Sequence, residues 1–412
     1  MTATPASLLE EARQLHGGLT DLRHRLHREP EIGLTLPRTQ EKVLEALEGL
    51  PYEVTLGTET TSVTAVLRGT AASAGRRPTV LLRGDMDALP VQERTGEQFS
   101  STIDGVMHAC GHDLHTSMLA GAAGLLAEHR DELAGDVVLM FQPGEEGYDG
   151  AAVMIREGIL EASGRLPDAA YGLHVTSSLL PNGIFASRGG TLMSASDGLM
   201  VTVRGAGGHG SAPHTAKDPV TVAAEIVTQL QVMVTRQFNM FDPVVISVGV
   251  LRAGTKRNII PDTARIEATV RTFSAENREK MAAIAPRLVR GIAEAHGLEA
   301  DVDYQTEYPL TVTNFSETLH AQEQVDALFG PGRYTEMQQP LSGSEDFSRI
   351  LEAVPGSFVF LAATPPGADP RSAPFNHSPL AVFDDNVLAD GAALYAQLAL
   401  SRLGSLAAAG IG

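Results

Sequence analysis

Thr79–Pro90 reads TVLLRGDMDALP, and the organisation of the whole chain follows from how this stretch is understood. The apolar run through Val80, Leu81 and Leu82 has no polar alternation, so it reads as a buried strand. It runs directly into Gly84-Asp85-Met86-Asp87, and carboxylates just past the C-terminal end of a strand are where open α/β sheets place their sites. Two aspartates at i and i+2 could equally cap the next turn. The pattern recurs at Asp136–Pro143, DVVLMFQP, which ends in Gly144-Glu145-Glu146-Gly147. Adjacent glutamates between glycines make poor core residues and poor helix caps, leaving a solvated loop or a site. Ala169–Val175, AAYGLHV, is a third such strand and delivers His174 near its end.

Helical patterns separate these strands. Leu8, Leu9, Ala12, Leu15, Leu19, Leu22 and Leu26 recur at three- and four-residue spacing, as an amphipathic helix requires. Pro30 interrupts it, and Thr39 to Leu50 reads as a second helix. His27 and Glu31, in the junction LHREPEIGL, read as surface charge around a turn. Further helices are expected at Ser117–His129, Ala151–Leu160 and Asn386–Leu403. Strands alternating with helices predict an α/β domain on a mostly parallel sheet.

Between the first two acidic strand ends lies Met107–Thr116, MHACGHDLHT, with the only cysteine of the chain, Cys110, and His108, His112 and His115. Thiolate and imidazole are the donors that Zn²⁺ and its neighbours prefer. Gly111 between Cys110 and His112 permits the sharp backbone that would point both side chains to one side. A buried thiol beside surface histidines is the alternative reading of this stretch.

The character changes near Ala186. A strand at Leu199–Arg204, a helix from Pro219, strands at Val244–Leu251 and Ala264–Phe273, a helix at Ala275–His296 capped by Ser274, and a strand at Glu299–Tyr308 follow in turn. That β-α-β-β-α-β order is ferredoxin-like, and it predicts an inserted domain over 186–308. The α/β domain then comprises 1–185 and 309–412. Gly205, Gly207 and Gly210 in GAGGHG satisfy G-x-G-x-x-G, but SAPHTAKD separates them from the next helix. A phosphate cradle needs the helix to open at that loop, so dinucleotide binding is rejected.

The 412 residues carry a formal net charge of −19 with 43% apolar residues. This argues against a nucleic-acid or anionic-membrane partner. One cysteine makes no intrachain disulfide, so nothing requires an oxidising compartment. The N-terminus lacks the basic and apolar regions of a signal peptide, and no apolar run reaches the ~18 residues of a membrane span. A cytoplasmic protein is expected.

Candidate ligands therefore stand on five segments at or beside strand ends: Asp85 and Asp87, Cys110 and His112, Glu145 and Glu146, His174, and His377 in PFNHSP. This set exceeds the four donors of a closed structural zinc site and points to two metals. HExxH is absent, which excludes a zincin-type protease.

RGDMDALP, HACGHDLHTSMLAGAA, FQPGEEGYDGA, YGLHV, GAGGHGSAPH, AGTKRNIIPDTA, GSEDF and FNHSP, in this order, resemble the M20 metallopeptidase family. The resemblance is to its amidohydrolase branch of hippurate hydrolases, N-acyl-amino-acid amidohydrolases and auxin-conjugate hydrolases, and it spans essentially the whole chain. It implies a mixed-sheet, zinc-peptidase-like catalytic domain with helices on both faces, interrupted by a βαββαβ lid. It implies two divalent metal ions per subunit (Zn, Mn, Co or Ni), held by Cys110, His112, Glu146, His174 and His377, with Cys110 bridging. Glu145 matches the catalytic carboxylate, and Asp87 a group orienting a ligand imidazole. Asp85 stands where other branches carry a metal-binding histidine. His209 resembles a histidine reaching the partner subunit's site, and Asn258, Gly343 and Ser344 resemble substrate contacts. The implied reaction is hydrolysis of an N-acyl-amino acid by metal-activated water. A dipeptidase or an N-acetyl-diaminopimelate-type deacetylase with the same centre is the alternative. The implied assembly is a homodimer through the lid, with a tetramer as the larger form.

Overall fold

The computed structural model describes residues 3–72 and 75–410. Residue contacts divide the chain into two units: Met1–Gly190 with Thr313–Gln338 and Arg349–Gly412, and Thr191–Val312 with Gln339–Ser348.

The first unit is built on an eight-stranded sheet ordered Tyr52–Leu56, Val63–Arg68, Asp136–Gln142, Thr79–Asp85, Ala169–Thr176, Gly356–Ala362, Phe185–Ser187 and Tyr334–Glu336. Its four central strands, Asp136–Gln142 to Gly356–Ala362, run parallel. Every residue of Thr79–Asp85, Asp136–Gln142 and Gly356–Ala362 is buried, which explains why these segments read as continuous apolar runs rather than alternating ones. The outer strands Val63–Arg68 and Phe185–Ser187 pair antiparallel with this core, so the sheet is mixed. Phe185–Ser187 and Tyr334–Glu336 are three residues each, too short to show a period.

Helices His112–Glu128 and Val387–Ala408 pack on strand Thr79–Asp85. Both are apolar on nearly all sides and buried accordingly. Leu82, Leu139 and Leu119 lie in this core without exposure. Truncating such a leucine to alanine costs about 2–5 kcal/mol. No helix among the described residues is long and apolar enough to cross a membrane.

The parallel register sets Asp85 opposite Gln142 and Thr176 opposite Ala362. The C-terminal ends of the central strands thus share one edge, and the segments after them begin there.

In the second unit the sheet order is Val244–Ala253, Thr263–Thr272, Ala195–Arg204, Glu299–Thr306, all neighbours antiparallel. Counted along the chain this is 2-3-1-4, with helices Pro219–Gln237 and Ala275–Ala295 packed on the sheet. Leu199, Val201 and Val203 point into its core while Met200 and Thr202 are half-exposed, the period of two of a one-sided strand. Ser274 caps its helix by accepting the Asn277 N–H, and Asp218 caps the other through Val220 N–H.

The structure departs from the sequence reading in three places. The helix expected at Ser117 begins at His112, because Gly111 adopts φ 85° and turns the chain into it without a polar cap. A Cβ at Gly111 would lie 2.4 Å from Val175 Cγ2, so only glycine fits. His27 and Glu31 are buried rather than surface charges. Asp113 holds His27 Nδ1 at 2.8 Å, and Glu31 accepts the Thr39 N–H at 2.9 Å. Finally, residues 339–348 belong with the second unit. Ser194 Oγ donates to the Ser342 and Gly343 carbonyls, and Leu341 N–H to Leu192 O.

Candidate metal centre

Five side chains of the first unit converge at the shared strand edge. Cys110, His112 and His174 form one group of donor atoms within 4.8 Å of one another, and Cys110, Glu146 and His377 form a second. Cys110 is common to both. His112, Glu145 and Glu146 make a third such group. Cys110 Sγ lies 3.5 Å from His174 Nε2, and His377 Nε2 lies 3.1 Å from Glu146 Oε1. The five ligands that the resemblance implies are therefore together, with Glu145 beside them.

The local backbone is bent to deliver them. His377 has φ 72° and Asp149, closing the Glu145–Glu146 loop, has φ 54°. Non-glycine residues in this region are strained and cluster where a site over-determines them. Asp149 is held by the Arg349 guanidinium at 2.8 Å.

Each imidazole has a distinct state. His174 donates from Nδ1 to the Val175 carbonyl at 2.8 Å, which fixes the tautomer and leaves the Nε2 lone pair directed towards Cys110. Burial, reinforced by His115, holds it well below its ordinary pKa. Cys110 and Glu146 hold His377 up to about 10. Against the opposing effect of burial, Asp85 and Asp87 hold His112 well above its usual value.

His112 is the decisive test of whether a metal fits. Both its ring nitrogens are fully buried and neither makes a hydrogen bond among the described residues. Asp85 and Asp87 each approach only to 3.5 Å. A buried polar atom left unpaired costs about 1–3 kcal/mol, and this one faces a thiol and carboxylates. Borderline-soft N and S donors among anionic oxygens suit a divalent transition ion.

Asp87 does more than the sequence suggested. Its Oδ1 accepts the Glu145 N–H at 2.9 Å and its Oδ2 the Glu146 N–H at 3.0 Å. It therefore fixes the acidic loop, and its Oδ1 stands 3.5 Å from His112 Nδ1.

Asp85 is part of a different set. It takes Arg83 Nη1 at 2.7 Å and His115 Nδ1 at 2.5 Å. His115 Nε2 in turn accepts the Val175 N–H at 2.7 Å. Although burial opposes it, Arg83 with His112 and His115 keeps the Asp85 carboxyl well below the usual range. The sequence marked His115 only as one of three histidines, and nothing local pairs it with a residue thirty positions earlier.

The remaining predicted residues lie in the second unit. His209 sits in a two-residue strand, Gly208–His209, paired with Ile259–Ile260. Its Nδ1 accepts from Ser211 Oγ at 2.8 Å, and it is exposed. Asn258 adjoins it, its carbonyl accepting the Gly210 N–H. Ser344 Oγ accepts from Arg271 at 3.2 Å, next to Gly343.

Comparison with known proteins matches residues 81–401 to the model for peptidase family M20/M25/M40. The chain is 36% identical over 398 residues to "Thermostable carboxypeptidase 1" of Saccharolobus solfataricus, covering 95% of this chain and 97% of that one. It is 35% identical over 400 residues to the "Hippurate hydrolase" of Campylobacter jejuni, covering 96% and 100%. Among solved structures, a Bacillus subtilis protein described as a dinuclear metal-binding peptidase superposes with a TM-score of 0.79 at 31% identity, over 95% of this chain and 99% of that one.

Proposed function

The chain belongs to peptidase family M20/M25/M40, and from that premise we propose that it hydrolyses the amide bond of N-acyl-amino acids at a centre of two divalent ions. The observation that carries this reading is the pair of donor groups sharing Cys110 with Glu145 beside them. A relative named for hippurate, an acylated glycine, supports the substrate class.

Cys110, His112 and His174 would hold one ion, and Cys110, Glu146 and His377 the other. The donor set is compatible with Zn, Mn, Co or Ni. When bound, such ions lower the pKa of water towards ~7 and polarise a substrate carbonyl.

The residues of the chain do the rest. Asp87 grips the Glu145 and Glu146 amides, so the carboxylate of Glu145 keeps a fixed place beside the ligands. Glu145 takes a proton from the attacking water and returns it to the leaving nitrogen. General acid–base help of this type contributes about 10²–10⁴-fold. His209 donates to the developing oxyanion in the partner subunit, and Asn258, Gly343 and Ser344 contact the substrate.

A homodimer through the second unit is part of the proposal. Val244–Ala253 is an edge strand carrying exposed Val245 and Leu251, with Met240 and Phe241 81% and 86% exposed just before it. Open apolar edges of this type favour pairing with another chain. A cytoplasmic location agrees with a lone thiol that must remain reduced to bind metal.

A hydrolysis screen tests the reading: acetyl-, benzoyl- and indoleacetyl-amino acids against unblocked dipeptides and peptide carboxyl ends, with the metal-loaded enzyme. The expected result is kcat/KM at least tenfold higher on one acyl class. Preference for a free-amine dipeptide or for a peptide's C-terminal residue would replace it with a peptidase reading, which the carboxypeptidase relative favours.

A further inference from the structure

The loop bearing His377 enters the centre one residue after Asn376, and this side chain uses both ends of its amide. Its Nδ2 donates to the Cys110 carbonyl at 3.1 Å and to the Val175 carbonyl at 3.0 Å. The same nitrogen lies 3.8 Å from Cys110 Sγ. Its Oδ1 accepts the Ser177 N–H at 3.0 Å and faces Ser177 Oγ at 3.1 Å. The orientation is fixed, since flipping the amide would set its oxygen against two carbonyls.

These partners lie on three different segments. Cys110 is on the loop before helix His112–Glu128, Val175 and Ser177 follow His174, and Asn376 precedes His377 in the chain. A further bond, His377 N–H to Ala109 O at 2.8 Å, runs the same way. We infer that Asn376 is a positioning residue that locks the Cys110, His174 and His377 segments into one register and thereby sets the affinity of the centre for metal. The inference rests on the ligand assignment proposed above.

The chemistry demands this residue type. Two N–H donors and an acceptor on one rigid plane must reach from a strained turn, since His377 has φ 72°. Aspartate has the shape but no donors, and its oxygen would face the Cys110 and Val175 carbonyls and the Cys110 sulfur. Alanine leaves the Cys110 and Val175 carbonyls and the Ser177 amide without this partner. The Val175 carbonyl also receives His174 Nδ1, so Asn376 shares an acceptor with the bond that fixes the His174 tautomer. Partners that orient ligands from outside typically change metal affinity about 10–100-fold when removed.

The test measures metal affinity by chelator competition with Zn²⁺, and the thiolate-to-metal absorption of the Co²⁺-loaded full-length protein. The melting temperature of the metal-free protein is followed in parallel. Asn376→Ala is expected to weaken Zn²⁺ by about 10–100-fold and to reduce the Co²⁺ thiolate band. Asn376→Asp should be weaker than Asn376→Ala, although its size is native. Ser177→Ala, which keeps the amide and removes one hydroxyl, should move affinity the same way by less; it carries the test if the Asn376 variants fail to fold. Affinity and spectrum within about twofold of wild type in the folded variants would overturn the inference. Cys110→Ser separates this failure from failure of the ligand assignment. If Cys110→Ser loses metal and Asn376→Ala does not, only the role of Asn376 falls. If Cys110→Ser also keeps metal, the assignment itself falls and the inference with it.

Discussion

Asp87 Oδ1 accepts the backbone N–H of Glu145 at 2.9 Å, and this bond ties the end of one central strand to the loop after its neighbour. The second oxygen does the same for Glu146. Asp87→Ala should leave two amides unpaired at about 1–3 kcal/mol each, lowering the melting temperature and cutting kcat at least tenfold as Glu145 drifts. Asp87→Asn retains one acceptor and should fall between the two. Equal activity in Asp87→Ala and wild type would limit Asp87 to a bystander.

Glu145→Gln keeps the loop and removes only the ionisable group. Metal content by elemental analysis should be unchanged while kcat falls about 10²–10⁴-fold. Turnover within tenfold of wild type would take the proton-transfer role away from Glu145.

His209 is exposed in its own unit, with only Ser211 on its ring among the described residues. If it serves the partner subunit, His209→Ala should lower kcat by about 10²–10³-fold, the worth of an oxyanion donor, with metal content unchanged. Mixing His209→Ala with Glu145→Gln subunits should restore part of the activity, because one site per mixed pair then holds both groups. Mixtures that exchange subunits and stay inactive would end the shared-site proposal.

A pH dependence is expected away from the candidate metal centre, at His129. Its Nε2 meets Glu11 at 2.7 Å and its Nδ1 meets Glu132 at 3.0 Å. Against the opposing effect of burial, these carboxylates raise its pKa above the usual 6.5. A raised folded-state pKa gives stabilisation that is full below the unfolded value and lost as pH rises through the folded one. The melting-temperature gap between wild type and His129→Gln should therefore be larger at pH 5.5 than at pH 9. A gap independent of pH would show that the ring is neutral or that the ion pairs contribute nothing.

The clustering of the candidate donor side chains was readable because they sit on short, chemically loud motifs at strand ends, where a local pattern suffices. Ferredoxin-like order in the second unit was readable for a related reason: Leu199, Val201 and Val203 alternate visibly, and Ser274 announces its helix. What surrounds the donors was not readable. Asp85 is neutralised by Arg83 from within its own buried strand and by His115 from a helix, and no spacing rule joins those three. His27 meets Asp113 across 86 positions, so a polar residue in a turn looked solvated when it was core. Asn376 lies within FNHSP, the motif that carries His377, and its own role gave no signal, since an asparagine between phenylalanine and histidine reads as turn chemistry. The start of the His112 helix was missed because a left-handed glycine replaced the polar cap that marks most helix beginnings.

These segments leave the ribosome in two instalments. Cys110, His112, Glu146 and His174 are all made before the second unit begins, whereas Asn376 and His377 come 202 and 203 residues after His174 (376 − 174 and 377 − 174). At about 5–20 residues per second, the nascent chain spends roughly 10–40 s with its lone thiol and three other donors synthesised but without the last histidine. The clamp and the final donor then arrive together, in consecutive residues. On the ligand assignment proposed above, the donor set is complete only late in synthesis, together with the residue that fastens the three segments to one another.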